Sequence, residues 1–360
     1  VSTNRKQRKI AIASDILPRF IIGGVGTGGH YFPAVVVAQE LQKRRYDVLF
    51  LVRSGRLEDD VARRYGIKTF TIVSRPFFGK SVVDKIRFIM SLIYSVLRLN
   101  RVTKNSIGIA FGGFGAVPLV LSCMMNRSAF YIFEANRVAG RATKLFSSRA
   151  KRVFLGLPLT NRLQGNTTIT GIPVRQEFRR AAMTKPRTRS RTPVILFYGG
   201  SQGARRLNDL ALELQEKLPN KWRLIVITGQ RDYGRVVPKK GSNTRVLPFV
   251  DEPWLEMIKA DVIVSRAGAL AGYEILNMNK KALFIPFPYA LDNHQYHNAV
   301  YFSQIGNAAV HDEQALNADT LCGLVKGLVK ARSMKRADTI RDAEKRIADC
   351  LVQDVKHAEI

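Results

Sequence analysis

"GGVGTGGHYFPA", residues 23–34, decides the fold. It follows the apolar run "FII" and precedes an amphipathic stretch, so it reads as a glycine turn between a strand and a helix. Gly24-Val25-Gly26-Thr27-Gly28-Gly29 satisfies G-x-G-x-x-G. In such a turn the backbone N–H groups can approach phosphate oxygens, helped by the partial positive charge of the helix start. A dinucleotide site needs one thing more, an acidic residue closing the second strand about 20 residues on. That strand, "DVLFLVRSG", ends in Arg53, and Asp47 stands at its wrong end. The fold reading survives; the dehydrogenase reading does not.

Working outward, short apolar runs alternate with amphipathic stretches: "FIIGG", "DVLFLV", "KTFTIV", "IGIAFGG", "AFYIFE" and "RVFLG". This is the pattern of a parallel sheet covered by helices on both faces. A Pro- and Arg-rich stretch follows "TTITGIPV", and the pattern then restarts with "VILFYGG", "RLIVITG", "RVLPFV", "DVIVSR" and "ALFIPF". The expected class is α/β, two Rossmann-like doubly wound parallel-sheet domains facing a cleft. The expected limits are a basic arm at 1–18, a first domain at 19–176 and a basic linker at 177–192. A second domain at 193–335 follows, then a C-terminal helix at 336–360 that can pack back on the first.

At 360 residues and 46% hydrophobic, the chain can bury two cores. Its three cysteines form neither a disulfide framework nor a metal spacing. The formal net charge of +30 predicts an anionic partner: nucleic acid, an anionic membrane surface or a phosphorylated substrate. No zinc spacing, aromatic RNA motif or helix-turn-helix accompanies the charge, so no specific nucleic acid is expected. The apolar run "FIMSLIYSVL", Phe88 to Leu97, is too short to span a bilayer.

Further glycine turns follow strands at "FGGFG", Phe111–Gly115, and "GGSQGA", Gly199–Ala204. Together with "FEAN", "TGIPVR", "PFVDE", "RAGALAGYE" and "FIPFPYALDNHQYHNA", they stand in the order and spacing of the MurG family. The chain resembles that family over about residues 18 to 350. It comprises the peptidoglycan N-acetylglucosaminyltransferases of GT-B architecture that convert lipid I to lipid II. The resemblance implies UDP-N-acetylglucosamine as donor, undecaprenyl-linked lipid I as acceptor and inversion at the anomeric carbon. It also implies a peripheral protein on the cytoplasmic face of the plasma membrane, with no cofactor beyond a Mg²⁺ carried by a diphosphate. UDP-N-acetylglucosamine 2-epimerases share the fold, but the pairing of "GGSQGA" with H-Q-x-x-N-A favours the transferase. No feature bears on oligomeric state.

The resemblance assigns residues to the donor: Thr27, Gly28, Gly29, Asn136, Arg175, Ser201, Val250, Ala269, Leu270, Ala271, Gly272, Tyr273, Glu274, Gln295 and Asn298. Arg175 and Ser201 belong to the nucleotide, Val250 meets uracil through its backbone, and Glu274 accepts from ribose hydroxyls. Gln295 and Asn298 are expected to read the sugar's hydroxyls. Gly26, Gly28, Gly29, Gly112 and Gly113 form the acceptor-diphosphate loops. His30, at the helix start, is the first candidate for the base, because imidazole titrates near working pH and a helix N-terminus disfavours its protonated form. A capping or diphosphate-binding role for His30 is the alternative, and Glu134 is the second candidate for the base. His294 and His297 lack a third ligand, so no metal site is expected.

The sequence departs from the family at Val25, Ala110, Phe114, Ala116, Phe133, Ala135 and Ala271, mostly on the acceptor half. There, Phe77, Phe78, Phe88, Ile89, Leu92, Ile93 and Tyr94 are interleaved with Arg75, Lys80, Lys85, Arg87, Arg98, Arg101 and Lys104. This reads either as an interfacial contact with anionic lipid or as a core-facing helix with a basic outer face.

Overall fold

The computed structural model describes residues 18–26, 28–53, 57–73, 81–184, 192–200, 202–332 and 337–356. The expected basic arm, save Pro18, lies outside these residues, as do Thr27, Arg75, Phe77, Phe78, Lys80 and Ser201.

The first half alternates β1 (Arg19–Gly23), α1 (Gly28–Lys43), β2 (Val48–Val52), α2 (Leu57–Arg64), β3 (Lys68–Thr71), α3 (Val82–Thr103) and β4 (Ser106–Ala110). It continues with α4 (Val117–Met125), β5 (Phe130–Glu134), α5 (Arg141–Phe146), β6 (Arg152–Leu155) and β7 (Thr167–Ile169). The strands form one parallel sheet in the order β3-β2-β1-β4-β5-β6-β7. β4 and β5 are buried along their whole length, as continuous apolar strands between two helical layers must be.

The second half begins with α6 (Gln176–Met183), β8 (Val194–Tyr198), α7 (Arg205–Gln215), β9 (Arg223–Ile227), α8 (Tyr233–Val236), β10 (Thr244–Leu247) and α9 (Pro253–Lys259). It continues with β11 (Val262–Ser265), α10 (Ala269–Asn277), β12 (Lys281–Phe284), α11 (His294–Ile305), β13 (Ala308–Val310), α12 (Ala318–Lys330) and α13 (Ala343–Lys356). Its sheet is also parallel, in the order β10-β9-β8-β11-β12-β13.

One segment departs from its sequence reading. The Arg-rich stretch after "TGIPV" opens with helix α6, because Phe178 and Ala181, three residues apart, bury one face of it. The chain also crosses between the domains twice. After α12 it returns, and α13 packs on α1 of the first domain, with Arg44 bonded to Asp349 at 2.7 Å and Arg152 to Asp354 at 2.9 Å.

Helix α3 carries apolar residues on both its inner and its outer face. Ser91, Ser95, Val96, Leu99 and Thr103 face the protein, where Ser95 Oγ donates to Val73 O at 2.7 Å and Thr103 Oγ1 shares a 2.7 Å hydrogen bond with Ser122 Oγ. Val82, Val83, Ile86, Ile89, Met90, Ile93, Tyr94 and Leu97 face outward, with Met90 61% exposed. The inward stripe reaches the core through Leu99, while the apolar outward stripe has no protein against it among the described residues. No described helix is long and apolar enough to cross a membrane.

Candidate active site

In doubly wound sheets ligands bind where the strand order reverses. The first sheet reverses between β1 and β4, and the loops leaving those strands are the two first-domain glycine turns. The second reverses between β8 and β11, whose loops are "GGSQGA" and "RAG". Three of them, all but Phe111–Gly115, open into one cleft of about 850 Å³, lined from one side by Gly28, Gly29 and His30 and from the other by Gly200, Leu270 and Glu274.

His30 stands in the first turn of α1 with its ring in a slot made of glycine. A Cβ on Gly112 would lie 2.8 Å from its Cδ2, one on Gly26 3.5 Å from Nδ1, and one on Gly113 3.6 Å from Nδ1. All three glycines have positive φ, at 147°, 61° and 70° for Gly26, Gly112 and Gly113, so the slot needs glycine for conformation as well as for room. Burial pushes the imidazole below its ordinary value, Glu134 opposes this, and His294 reinforces it. The ring is therefore neutral near pH 7, the state that can take a proton.

Three of the family departures pack together. Val25, Ala110 and Ala116 belong to one buried apolar cluster with Leu119, so added methyl groups fuse the two glycine turns from beneath. Phe133, where the family has histidine, lies against Phe111 with ring centroids 5.0 Å apart.

Glu134 is 4% exposed and does not line the cleft. Its oxygens accept from the Asn136 N–H at 3.1 Å, Asn136 Nδ2 at 3.3 Å, the Gly140 N–H at 2.9 Å and Thr143 Oγ1 at 2.7 Å. A carboxylate has about four acceptor positions. With all four filled, Glu134 has no place for an incoming proton, and this corrects its candidacy as base.

On the donor side, Arg175 Nη2 lies 3.6 Å from Glu274 Oε1, both deeply buried. The guanidinium carbon sits 4.1 Å from the ring centre of Phe32, 4.9 Å from Trp254 and 5.0 Å from Phe178. Neither Arg175 Nε nor Glu274 Oε1 has a hydrogen-bond partner. Burial lifts the Glu274 carboxyl to about 7 against the pull of Arg175. A buried ion pair short of hydrogen bonds is poorly compensated. A ligand offering a diol and a phosphate supplies what each partner lacks.

The remaining expected residues divide. Asn136, Ala269, Leu270, Ala271 and Gln295 line the cleft, and Gln295 Oε1 accepts from the Phe287 N–H at 3.0 Å. Val250 lines an adjoining cavity of about 210 Å³, which shares Phe32, Arg175, Tyr198 and Gly200 with the cleft. Gly272, Tyr273 and Asn298 lie behind the wall. Gly272 packs on the Phe302 ring, Tyr273 Oη donates to Ile340 O at 3.0 Å, and Asn298 is fully buried. The expectation that the Asn298 side chain reads sugar hydroxyls is corrected by this burial. Arg266 was missed: it lines the cleft, donates to Ile285 O and Pro286 O at 3.1 Å each, and pairs with Glu313. Its position heading "RAGAL" was the available signal.

Residues 20–155 match the N-terminal domain of glycosyltransferase family 28, and residues 194–352 match its C-terminal domain. The chain is 32% identical over 314 residues to the UDP-N-acetylglucosamine--N-acetylmuramyl-(pentapeptide) pyrophosphoryl-undecaprenol N-acetylglucosamine transferase of Coxiella burnetii strain RSA 331, covering 84% of this chain and 87% of that one. The chain belongs to glycosyltransferase family 28, in its MurG branch. A family 28 relative of the same description from Sulfurihydrogenibium sp. is 29% identical over 351 residues, covering 95% of this chain and all of that one. The solved MurG of Acinetobacter baumannii superposes with a TM-score of 0.70 at 25% identity, covering 94% of this chain and 100% of that one. A putative UDP-N-acetylglucosamine 2-epimerase from Listeria monocytogenes, at 11% identity and a TM-score of 0.68, shares the family's fold alone.

Proposed function

We propose that this chain transfers N-acetylglucosamine from UDP-N-acetylglucosamine to the 4-hydroxyl of the muramyl sugar of lipid I, with inversion, forming lipid II. The observation that carries the reading is the neutral imidazole of His30, held in a slot between the two glycine turns of the first domain at the edge of the cleft. Glu274 takes the ribose hydroxyls, and the base enters the cavity beside Val250. Arg175 and the N–H groups at the start of α7 hold the diphosphate. His30 removes the acceptor hydroxyl proton as that oxygen bonds to the anomeric carbon. The bond from that carbon to the UDP oxygen breaks, and its electrons leave with the diphosphate. The fixed donors around it stabilise the developing charge. A Mg²⁺ would arrive with the diphosphate.

The acceptor diphosphate sits at Gly28, Gly29, Gly112 and Gly113. The outward stripe of α3, flanked by exposed Lys85, Arg87, Arg98 and Arg101, docks the protein peripherally on the anionic cytoplasmic face of the plasma membrane. Transfer of radiolabelled N-acetylglucosamine from UDP to a short-chain lipid I analogue tests the reading. Folded protein that binds UDP yet gives no product would overturn the acceptor assignment.

A further inference from the structure

Asn298 belongs to α11 of the second domain, and none of it reaches solvent. Its Oδ1 accepts from the N–H of Arg137 at 3.0 Å. Its Nδ2 donates to Ala267 O at 3.1 Å and to Asn136 Oδ1 at 3.0 Å. Two of these partners are backbone groups whose roles are fixed, since an N–H only donates and a C=O only accepts. They settle which end of the carboxamide is oxygen. Arg137 belongs to the first domain and Ala267 to the second, so one amide is pinned to both.

The orientation propagates. With Asn298 Nδ2 aimed at it, Asn136 must present its oxygen to Asn298 and its amino group to Glu134 Oε1, at 3.3 Å. Glu134 in turn is a charge felt by His30 across the glycine slot. The joint is braced beside this line: the Arg137 guanidinium lies 5.0 Å from the ring centre of Tyr301, also on α11, and its Nε donates to Pro158 O at 2.9 Å.

We propose that Asn298 is a positioning residue: its carboxamide is the joint through which apposition of the two domains sets Asn136 at the cleft, and it does not touch the donor sugar. The inference rests on the donor reading above. Aspartate at 298 keeps the shape but cannot donate to two oxygens, so it breaks the joint without opening a cavity.

The test compares wild type with Asn298→Ala, Asn298→Asp, Asn136→Ala and the Asn136→Ala/Asn298→Ala double variant. UDP and UDP-N-acetylglucosamine affinities, turnover with a lipid I analogue and X-ray scattering are measured on each. Each Asn298 variant is expected to lose about 30-fold in kcat. The ratio of its UDP-N-acetylglucosamine affinity to its UDP affinity falls no further than in Asn136→Ala. The double variant is expected within about threefold of Asn136→Ala, because the two act in series. Both Asn298 variants scatter with a larger radius of gyration than wild type. A further tenfold loss of UDP-N-acetylglucosamine affinity on adding Asn298→Ala to Asn136→Ala, with UDP affinity unchanged, or multiplicative losses of kcat in the double variant, overturns the proposal. Asn298→Asp carries the test if the alanine variants fail to fold. Wild type that binds no UDP would count against the donor reading instead. The joint would then still be decided by scattering of the free proteins, where equal radii overturn it.

Discussion

The Cδ2–Nε2 edge of the His30 imidazole lies so close to Gly112 that a methyl group there would sit 2.8 Å from Cδ2 and 3.0 Å from Nε2. Gly112→Ala must therefore push the ring out of its slot, and its φ of 61° adds strain for any L-residue. Displacement of a reacting group by about 1 Å costs on the order of 100-fold in rate. We expect Gly112→Ala to lose about that much kcat. Its UDP affinity, measured by calorimetry, should stay at the wild-type value, because the nucleotide site lies across the cleft. Wild-type turnover would show that the slot does not position the ring.

If His30 is the base, activity requires its neutral form. Its folded value lies below the ordinary 6.5, so the acid limb of kcat/KM should have its midpoint below that figure. His30→Ala should lower kcat by about 10²–10⁴-fold and remove the limb. Near wild-type kcat at saturating lipid I analogue would exclude His30 as base.

The folds of both halves are legible because their central strands are buried on both faces and so read as unbroken apolar runs. β7 and β13 were not legible, since three residues at a sheet edge carry no period. Glycine turns marked the site, for the turn geometry and the approach of a phosphate demand the same residue. What the sequence hid was direction. Tyr273 and Asn298 stand in the right motifs, yet whether their side chains point into the cleft or behind it depends on the partner domain. The outward apolar stripe of α3 was hidden likewise, because hydrophobic periodicity defines a face without saying what covers it. The packing of Val25 was hidden too, because its partners Ala116 and Leu119 are distant in sequence.

Glu274 ties stability to pH. Its carboxyl titrates near 7 in the folded protein, against 4.5 as the ordinary value, so the folded state holds the proton more tightly. That contribution is fully present below about pH 4.5 and is lost as pH rises through about 7. Its size is on the order of 3 kcal/mol. Glu274→Gln should remove this dependence from the urea unfolding midpoint and weaken UDP binding at pH 8 by at least tenfold, about 1.4 kcal/mol. An unchanged pH profile of stability would show that the carboxyl is not held protonated.

The α3 stripe makes a prediction that separates lipid binding from folding. Ile86→Glu and Ile93→Glu place charge on residues 55% and 49% exposed, where protein packing is little affected. The double variant should lose sedimentation with phosphatidylglycerol vesicles at physiological salt, while its thermal midpoint stays within about 3 °C of wild type. Equal vesicle binding would place the membrane contact elsewhere.

The clasp between α13 and α1 has a consequence for synthesis. Arg44 and Asp349 are 305 positions apart, yet they bond across the back of the first domain, with Ile347 and Leu351 fully buried nearby. A ribosome delivers that covering helix only after the whole second sheet has emerged. The first domain to be translated is thus the last to be sealed. During elongation it carries an open apolar flank, which nascent-chain chaperones would have to shield.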